Sequence, residues 1–286
     1  MNGETIAITG SGGFIGKALT QYLLAQGKSV TAMQRRKPVI THEKLRWHKY
    51  ELGEAFEENF PQDVTAIVHA AVSVYTPKNK RADELNTKGT QQLLDWCRKH
   101  KAHFVFLSTQ SAHEEALSHY GRNKLHNERL CDLSQDLVLR LGLVLGHEGL
   151  FARVAEMVKK AKFIPLPDGG KQPVQTIHID DLCRAIDRCL AQRRAGRYYL
   201  AHPEVLSVRK LYETVAQKFG AQPRFVSLPT WMLMPAVRTA ELLGLNLPAG
   251  SENLLGLKAS RAAETQGDID KLGVQLRDFR QSISEL

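Results

Sequence analysis

Thr5-Ile6-Ala7-Ile8-Thr9-Gly10-Ser11-Gly12-Gly13-Phe14-Ile15-Gly16 is the stretch on which the fold turns. A short β-rich run ends in a glycine cluster, and Phe14 to Gln26 then carries helical spacing. Glycines at such a junction permit positive φ. They also let backbone N–H groups approach a pyrophosphate at the positive end of a helix. The spacing is G-x-x-G-x-x-G through Gly10, Gly13 and Gly16, not G-x-G-x-x-G, because Ile15 takes the sixth place counted from Gly10. A purely structural turn is the bland alternative. Placement between an N-terminal strand and a helix favours dinucleotide binding, with Gly10, Gly12, Gly13, Phe14, Ile15 and Gly16 at the cofactor.

Outward from the turn, strand and helix patterns alternate. Further strands are expected at Ser29–Met33, Leu45–Tyr50, Ala66–His69, Phe104–Ser108 and Leu137–Leu141, with helices over Ala82–His100 and His119–Ser134. Alternation of this kind implies an α/β fold, a doubly wound parallel sheet with helices on both faces. Pro165-Leu166-Pro167-Asp168-Gly169-Gly170 reads as a loop within 165–175. One more strand–helix unit follows from Val174 to Leu190, then a strand from Arg197 to Ala201. We expect a cofactor-binding domain over 1–202 and a smaller, mainly helical substrate lobe over 203–286.

Composition narrows the class. The 286 residues are 43% hydrophobic and 24% charged, values of an ordinary globular protein that exclude a disordered or rod-like chain. No stretch reaches the length of a membrane span, and Met1-Asn2-Gly3-Glu4 does not open a secretory signal, so no membrane partner is expected. Cys97, Cys131, Cys183 and Cys189 lack metal spacing and read as reduced thiols of a cytoplasmic protein. The eleven histidines never combine with acids or cysteines at a recognised ligand spacing, so no metal is expected. The net charge of +9 suits an anionic partner: nucleic acid, a membrane surface or a phosphorylated small molecule. Basic residues are scattered, so nucleic acid is disfavoured as a partner.

With the turn, the order of later segments resembles the extended branch of the short-chain dehydrogenase/reductase superfamily, the NAD(P)-dependent epimerases and dehydratases. The resemblance runs through Ile67-Val68-His69-Ala70-Ala71, Leu85-Asn86-Thr87-Lys88-Gly89-Thr90, Val105-Phe106-Leu107-Ser108-Thr109, Tyr120-Gly121-Arg122-Asn123-Lys124, Leu139-Arg140-Leu141-Gly142 and Ile177-His178-Ile179-Asp180-Asp181. It spans about residues 5–200 and implies a Rossmann sheet. It also implies that Tyr120 passes a proton to or from a substrate oxygen, that Lys124 lowers the tyrosine's pKa and holds the nicotinamide ribose, and that Thr109 hydrogen-bonds that oxygen. Ala70 and Ala71 would lie beside the cofactor. Tyr120 and Lys124 are four apart, which puts them on one face of a helix. Asn86 divides evenly between an active-site and a structural role, and His69 reads first as a core histidine. His178, Asp180 and Asp181 read as a helix entry. Trp231-Met232-Leu233-Met234-Pro235 reads as core before pocket.

Three departures restrict what the resemblance implies. Gln110-Ser111 follow Thr109 where dehydratases of this kind carry Asp-Glu, which argues against dehydration. The loop from Thr109 to Tyr120 is short. Val174 holds a place where many members carry a diphosphate-binding arginine, leaving Lys171 or Arg209 as substitutes. For the cofactor, no acid occurs between Gly16 and Glu43, and the second strand runs into Gln34-Arg35-Arg36-Lys37. Arg35 and Arg36 there suit a 2′-phosphate, so NADP is expected, with NAD the alternative. The expected activity is an NADP(H)-dependent oxidoreductase acting on a carbonyl or secondary alcohol, its substrate a sugar or sugar nucleotide. A cofactor-retaining sugar-nucleotide epimerase is the alternative, and a non-catalytic, cofactor-sensing module the alternative of another class. The helices carrying Leu93, Leu94, Leu130 and Leu133 make a homodimer the expected assembly, with core the default for those leucines.

Overall fold

A computed structural model describes residues 4–76, 79–245 and 247–286, so Met1 to Gly3 of the opening tetrapeptide lie outside the described residues. In chain order the first half gives β1 (Thr5–Thr9), α1 (Phe14–Ala25), β2 (Ser29–Gln34), β3 (Leu45–Lys49), β4 (Val64–His69), α2 (Ala82–His100), β5 (His103–Thr109), α3 (His119–Glu128) and β6 (Leu137–Leu141). The second half gives β7 (Leu143–Leu145), α4 (Gly149–Lys160), β8 (Phe163–Pro167), β9 (Pro173–Val174), β10 (Thr176–His178), α5 (Ile179–Ala191), β11 (Gly196–Leu200), β12 (Leu206–Ser207) and α6 (Val208–Lys218). It closes with β13 (Arg224–Leu228), α7 (Thr230–Leu242), α8 (Ser251–Lys258), α9 (Gln266–Leu272) and α10 (Phe279–Ser284).

Seven strands form one sheet in the order β11-β6-β5-β4-β1-β2-β3, and β1 pairs in parallel with both β2 and β4. The strand order reverses beside β1, the point at which a doubly wound sheet binds its ligand. The central strands read as continuous apolar runs because both faces are covered. All five residues of β1 are buried, as are all five of β6.

Two compact units result, and each interleaves along the chain. The first comprises Met1–Ser108, Asn123–Arg140 and Leu182–Tyr198; the second comprises Thr109–Arg122, Leu141–Asp181 and Tyr199–Leu286. The first packs Ile67, Leu93, Leu94, Trp96, Phe104 and Phe106 into its core. Leu93 and Leu94 are therefore core, and the exposed positions of α2 are Glu84, Lys88, Gln91, Asp95 and Lys99. Of the other two leucines singled out for assembly, Leu130 is half-buried and Leu133 is exposed. The second unit has its own core of Phe151, Val158, Ile164, Leu166, Leu211, Val215, Phe279 and Ile283.

Three local readings differ from the sequence expectation. Helix α3 ends at Glu128, short of Ser134. After Glu128 the backbone bonds tighten to i→i−3 (Arg129 to His126, Leu130 to Asn127, Cys131 to Glu128), and Asp132 then organises a separate turn by accepting from the Ser134 N–H and hydroxyl and from Gln135. Pro165 and Pro167, expected in a loop, lie in β8, which pairs in parallel with β13. Two prolines spaced by two share one side of the strand, and β8 pairs with β13 alone, so the missing donors fall on the unpaired side. The C-terminal region is mainly helical, as expected, with α6 to α10 and only the short strands β12 and β13. Trp231 and Met232, expected in the core, are exposed. The four cysteines form no disulfide; three are buried and Cys131 is half-buried.

Phe104 is fully buried in β5, beside Phe106 and 6.1 Å from the His69 ring. We expect Phe104→Ala to lower unfolding stability by about 3–5 kcal/mol in urea denaturation. A loss under 1 kcal/mol would contradict the packing described.

Candidate functional site

In the first unit the glycine turn is shaped by close approach. Gly10 has φ +66°, and a Cβ there would lie 2.8 Å from the Ala71 Cα. A Cβ on Gly16 would lie 2.3 Å from the Gly10 carbonyl oxygen, so a side chain at either position forces the turn apart. Helix α1 starts at Phe14 with no side-chain cap and no acid in its first turn. Gly12 and Gly13 are exposed, with Phe14 and Ile15 half-buried beside them. A helix start without carboxylates, lined by bare backbone, fits an anionic pyrophosphate.

Behind the turn the Thr9 hydroxyl oxygen accepts from the N–H groups of Ala70 and Ala71, both at 3.1 Å. With both lone pairs used, its proton goes to His69 Nδ1 at 2.7 Å. His69 is thereby assigned as the neutral Nε2–H tautomer, which donates to Thr90 Oγ1 at 3.2 Å. Thr90 in turn donates to the Asn86 carbonyl at 2.8 Å. Burial pushes the His69 pKa down to about 3, with the Lys124 charge acting the same way, so the ring stays neutral at physiological pH. His69 is a structural core histidine. Asn86 also has a structural task, since its side chain accepts from the Ser73 N–H and donates to the Ser73 carbonyl, both at 2.8 Å.

Gln34 ends β2. It accepts from the Ser11 hydroxyl at 2.8 Å and donates to the Arg36 carbonyl at 2.7 Å. The amide ties the glycine turn to the Arg35–Arg36 turn and presents no carboxylate. Arg35 and Arg36 are exposed. Sequence reading quoted Gln34 and gave it no role, because a lone glutamine carries no motif.

Lys124 is almost wholly buried, its ammonium donating to the Leu107 carbonyl at 2.6 Å and standing 4.4 Å from the Phe106 ring centre. Burial lowers its pKa to about 8, against the pull of Glu128 and Cys131. An unfolded lysine titrates near 10.5, so between about pH 8 and 10.5 the unfolded chain binds more protons. This group's contribution to stability therefore rises with pH across that window. Glu128, one turn on, is buried and receives Arg140 through Nε and Nη2, the latter at 2.7 Å, together with the Ser108 hydroxyl. Sequence places Arg140 only within Leu139-Arg140-Leu141-Gly142 and gives Glu128 no motif; burial shows that this pair is enclosed.

In the second unit Tyr120 is half-buried, and its hydroxyl hydrogen-bonds the Thr109 side chain. Desolvation pushes the tyrosine pKa up to about 12, with the Thr109 bond pulling the other way. Glu252 of α8 accepts from the Tyr120 backbone N–H at 3.2 Å and so anchors the start of α3. Gln110, the residue after Thr109, donates to Gln175 at 3.2 Å. Val174 is half-buried in β9 opposite Leu206, packed against the second core. Arg209 donates to the Gly169 carbonyl at 3.2 Å, and Lys171 is exposed.

His178, Asp180 and Glu285 bring ligand-type atoms within 4.8 Å of one another. The Arg277 guanidinium stands among the same acids, 3.7 Å from Asp180 and paired with Glu285. It also donates to Asp181 at 2.7 Å. The cluster's positive charge is thus supplied by the chain itself. Asp180 and Asp181 do lie in the first turn of α5, and Asp181 additionally fixes Arg277.

A family model described as the NAD dependent epimerase/dehydratase family matches residues 6–201. Among curated relatives, the uncharacterized protein y4nG of Sinorhizobium fredii is 25% identical over 85% of this chain and 67% of its own length. The mitochondrial NADH dehydrogenase [ubiquinone] 1 alpha subcomplex subunit 9 of Arabidopsis thaliana is 26% identical over 98% of this chain and 74% of its own. Among solved structures, MoeE5 in complex with UDP-glucuronic acid and NAD aligns with a TM-score of 0.73 at 19% identity, over 98% of this chain and 96% of the other.

Replacing Thr9 by valine keeps the side chain's shape and leaves two N–H groups and His69 Nδ1 without their partner. The expected loss is about 1–3 kcal/mol for each buried group left unsatisfied. Equilibrium denaturation measures it, and a change below 1 kcal/mol in total would show that the hydroxyl is not the hub.

Proposed function

The chain belongs to the NAD dependent epimerase/dehydratase family, and from that premise we propose that it is an NADP(H)-dependent oxidoreductase acting on a carbonyl or secondary alcohol. The observation that carries the reading is the Thr109–Tyr120 hydrogen bond, in a chain whose α3 also bears a buried lysine four residues on. The bare start of α1 supports a pyrophosphate site at Gly12, Gly13, Phe14 and Ile15, with Gly10 and Gly16 required by close packing. Arg35 and Arg36 would take a 2′-phosphate, which the neutral Gln34 amide does not repel. Ala70 and Ala71 supply the strand end beside the turn through side chain and carbonyl, their N–H groups being held by Thr9. In this reading 1–202 carries the cofactor and 203–286 contributes to the substrate side.

When bound, the nicotinamide supplies or accepts the hydride. The protein's residues handle the proton. Tyr120 donates its phenolic proton to the substrate oxygen in reduction and takes it back in oxidation. Thr109 orients that oxygen by a second hydrogen bond. The Thr109 hydrogen bond opposes the desolvation that raises the tyrosine pKa, and in this reading the ammonium of Lys124 would favour the phenolate. It also serves the ribose hydroxyls. Gln110 in place of an acid removes the group needed for water loss, which favours oxidoreduction over dehydration. The substrate is a small molecule carrying an anionic group, phosphorylated or nucleotide-linked. Val174 supplies no charge to it, and Arg209 is engaged with Gly169, which leaves Lys171 as the exposed cation of that loop.

Tyr120→Phe removes one hydroxyl. We expect it to keep the fold and the cofactor affinity and to lower kcat by about 10²–10⁴-fold in a carbonyl-reduction assay with NADPH. Activity near that of the unmodified protein would overturn the assignment. Lys124→Met is expected to weaken cofactor binding as well, read by titration.

A further inference from the structure

The segment Thr109–Arg122 of the second unit carries Thr109 at one end and Tyr120 near the other, and the hydrogen bond between those two side chains closes it. Between them the chain folds tightly. Ala112, Ala116 and Ser118 are buried, and a Cβ on Gly121 would lie 2.4 Å from the Ser111 carbonyl oxygen. The first turn of a helix has backbone donors that need partners from outside it. At the start of α3 the Ser118 hydroxyl accepts from the Gly121 N–H, and its carbonyl from the Arg122 N–H, both at 3.1 Å. The Tyr120 N–H of the same turn donates to a remote carboxylate, Glu252 of α8, at 3.2 Å.

That bond is the first of a series. A Cβ on Gly256 of α8 would stand 3.7 Å from the Ser118 hydroxyl. The Ala259 carbonyl accepts from His113 Nε2 at 3.0 Å, and Arg261 pairs with Glu115. Ala263 is joined through the buried amide of Gln175. Its Oε1 accepts from the Ala263 N–H at 2.8 Å and from Gln110 at 3.2 Å, and its Nε2 donates to the Ala263 carbonyl at 3.0 Å. From Glu252 to Ala263 the contacts pass from Tyr120 back to Gln110, so the two segments run side by side in opposite directions. All of these residues belong to the second unit. The Arg261–Glu115 pair is exposed and contributes little; the bonds at the two ends do the fastening.

We infer that residues 252–263 are a strap that sets Tyr120 against Thr109, with Glu252 the positioning residue of that pair. The inference rests on the reading of Tyr120 as proton donor. It goes beyond that reading by giving the C-terminal region a task in the chemistry apart from substrate binding. Glu252 meets the Tyr120 backbone, so its effect is on where the phenol stands. A misplacement of about 1 Å can cost on the order of a hundredfold in rate, which makes the fastening of this turn consequential. The carboxylate supplies an acceptor and also a negative charge at a helix N-terminus. A glutamine in its place keeps the acceptor and loses the charge.

The test compares Glu252→Ala and Glu252→Gln in the full chain. Hydrogen exchange read by mass spectrometry needs no substrate. In Glu252→Ala, peptides covering 110–122 should exchange about tenfold faster, with those of β1 and β4 unchanged. In NADPH-dependent reduction of small aldehydes and ketones, kcat should fall about tenfold to a hundredfold while the KM for NADPH holds. Glu252→Gln should restore both readouts. In a chain already carrying Tyr120→Phe, Glu252→Ala should lower the residual rate no further. Unchanged exchange over 110–122 would overturn the strap, as would an unchanged kcat in Glu252→Ala beside an impaired Tyr120→Phe. A full further loss on top of Tyr120→Phe would overturn it too. Full activity of Tyr120→Phe would instead overturn the proton-donor reading, and the exchange arm would still decide whether the strap holds the segment.

Discussion

The Thr9 hydroxyl holds the end of β1 to the end of β4, and most of the cofactor-side geometry depends on it. One oxygen receives two backbone N–H groups and gives its proton to a buried imidazole. The imidazole passes the constraint to Thr90 and so to α2, where Asn86 clamps the Ser73 backbone. Gly10 can then lie against Ala71, at a separation no side chain would tolerate. A polar chain of this kind is stable only when every member is satisfied, because the same low dielectric that strengthens its bonds penalises a missing one. Rigidity of the turn is thus obtained from residues that need not touch a ligand.

A second enclosed system surrounds the lysine. Lys124, Glu128 and Arg140 place two cations and one carboxylate in a region of low dielectric. Arg140 takes both carboxylate oxygens, so Glu128 is neutralised mainly by the arginine, and the lysine relies on the Leu107 carbonyl and the Phe106 ring. Burial lowers its pKa to about 8, with Glu128 pulling the other way. A lysine so placed keeps its charge near neutral pH and is easily influenced by a neighbouring anion.

Much of this was legible in the sequence because it is periodic or punctuated. The strand–glycine–helix opening, the apolar runs of β4, β5 and β6 and the full length of α2 follow from pattern alone. Misreadings arose where tertiary pairing overrode local signals. Pro165 and Pro167 mark a loop by composition, yet the strand they enter pairs on one side only. After Glu128 helix α3 gives way to i→i−3 turns and then to a turn held by the Asp132 side chain, a change that helical periodicity does not register. Trp231 and Met232 belong to an apolar run that the pattern assigns to a core; what a helix faces is not encoded in its own pattern. Gln34, Glu128 and Glu252 carried no motif, and their tasks appear only through the groups they meet.

The central claim is that the turn after β1 and the arginines after β2 bind a dinucleotide bearing a 2′-phosphate. Hydrogen bonds to charged groups contribute about 1.5–3 kcal/mol each, so one such contact gives roughly tenfold to hundredfold selectivity. Parallel equilibrium titration of the protein with NADPH and NADH at two ionic strengths measures it directly. The account predicts tighter NADPH binding, with a gap that narrows as salt rises and shrinks in Arg35→Ala. Equal affinities, or a preference for NADH, would contradict it.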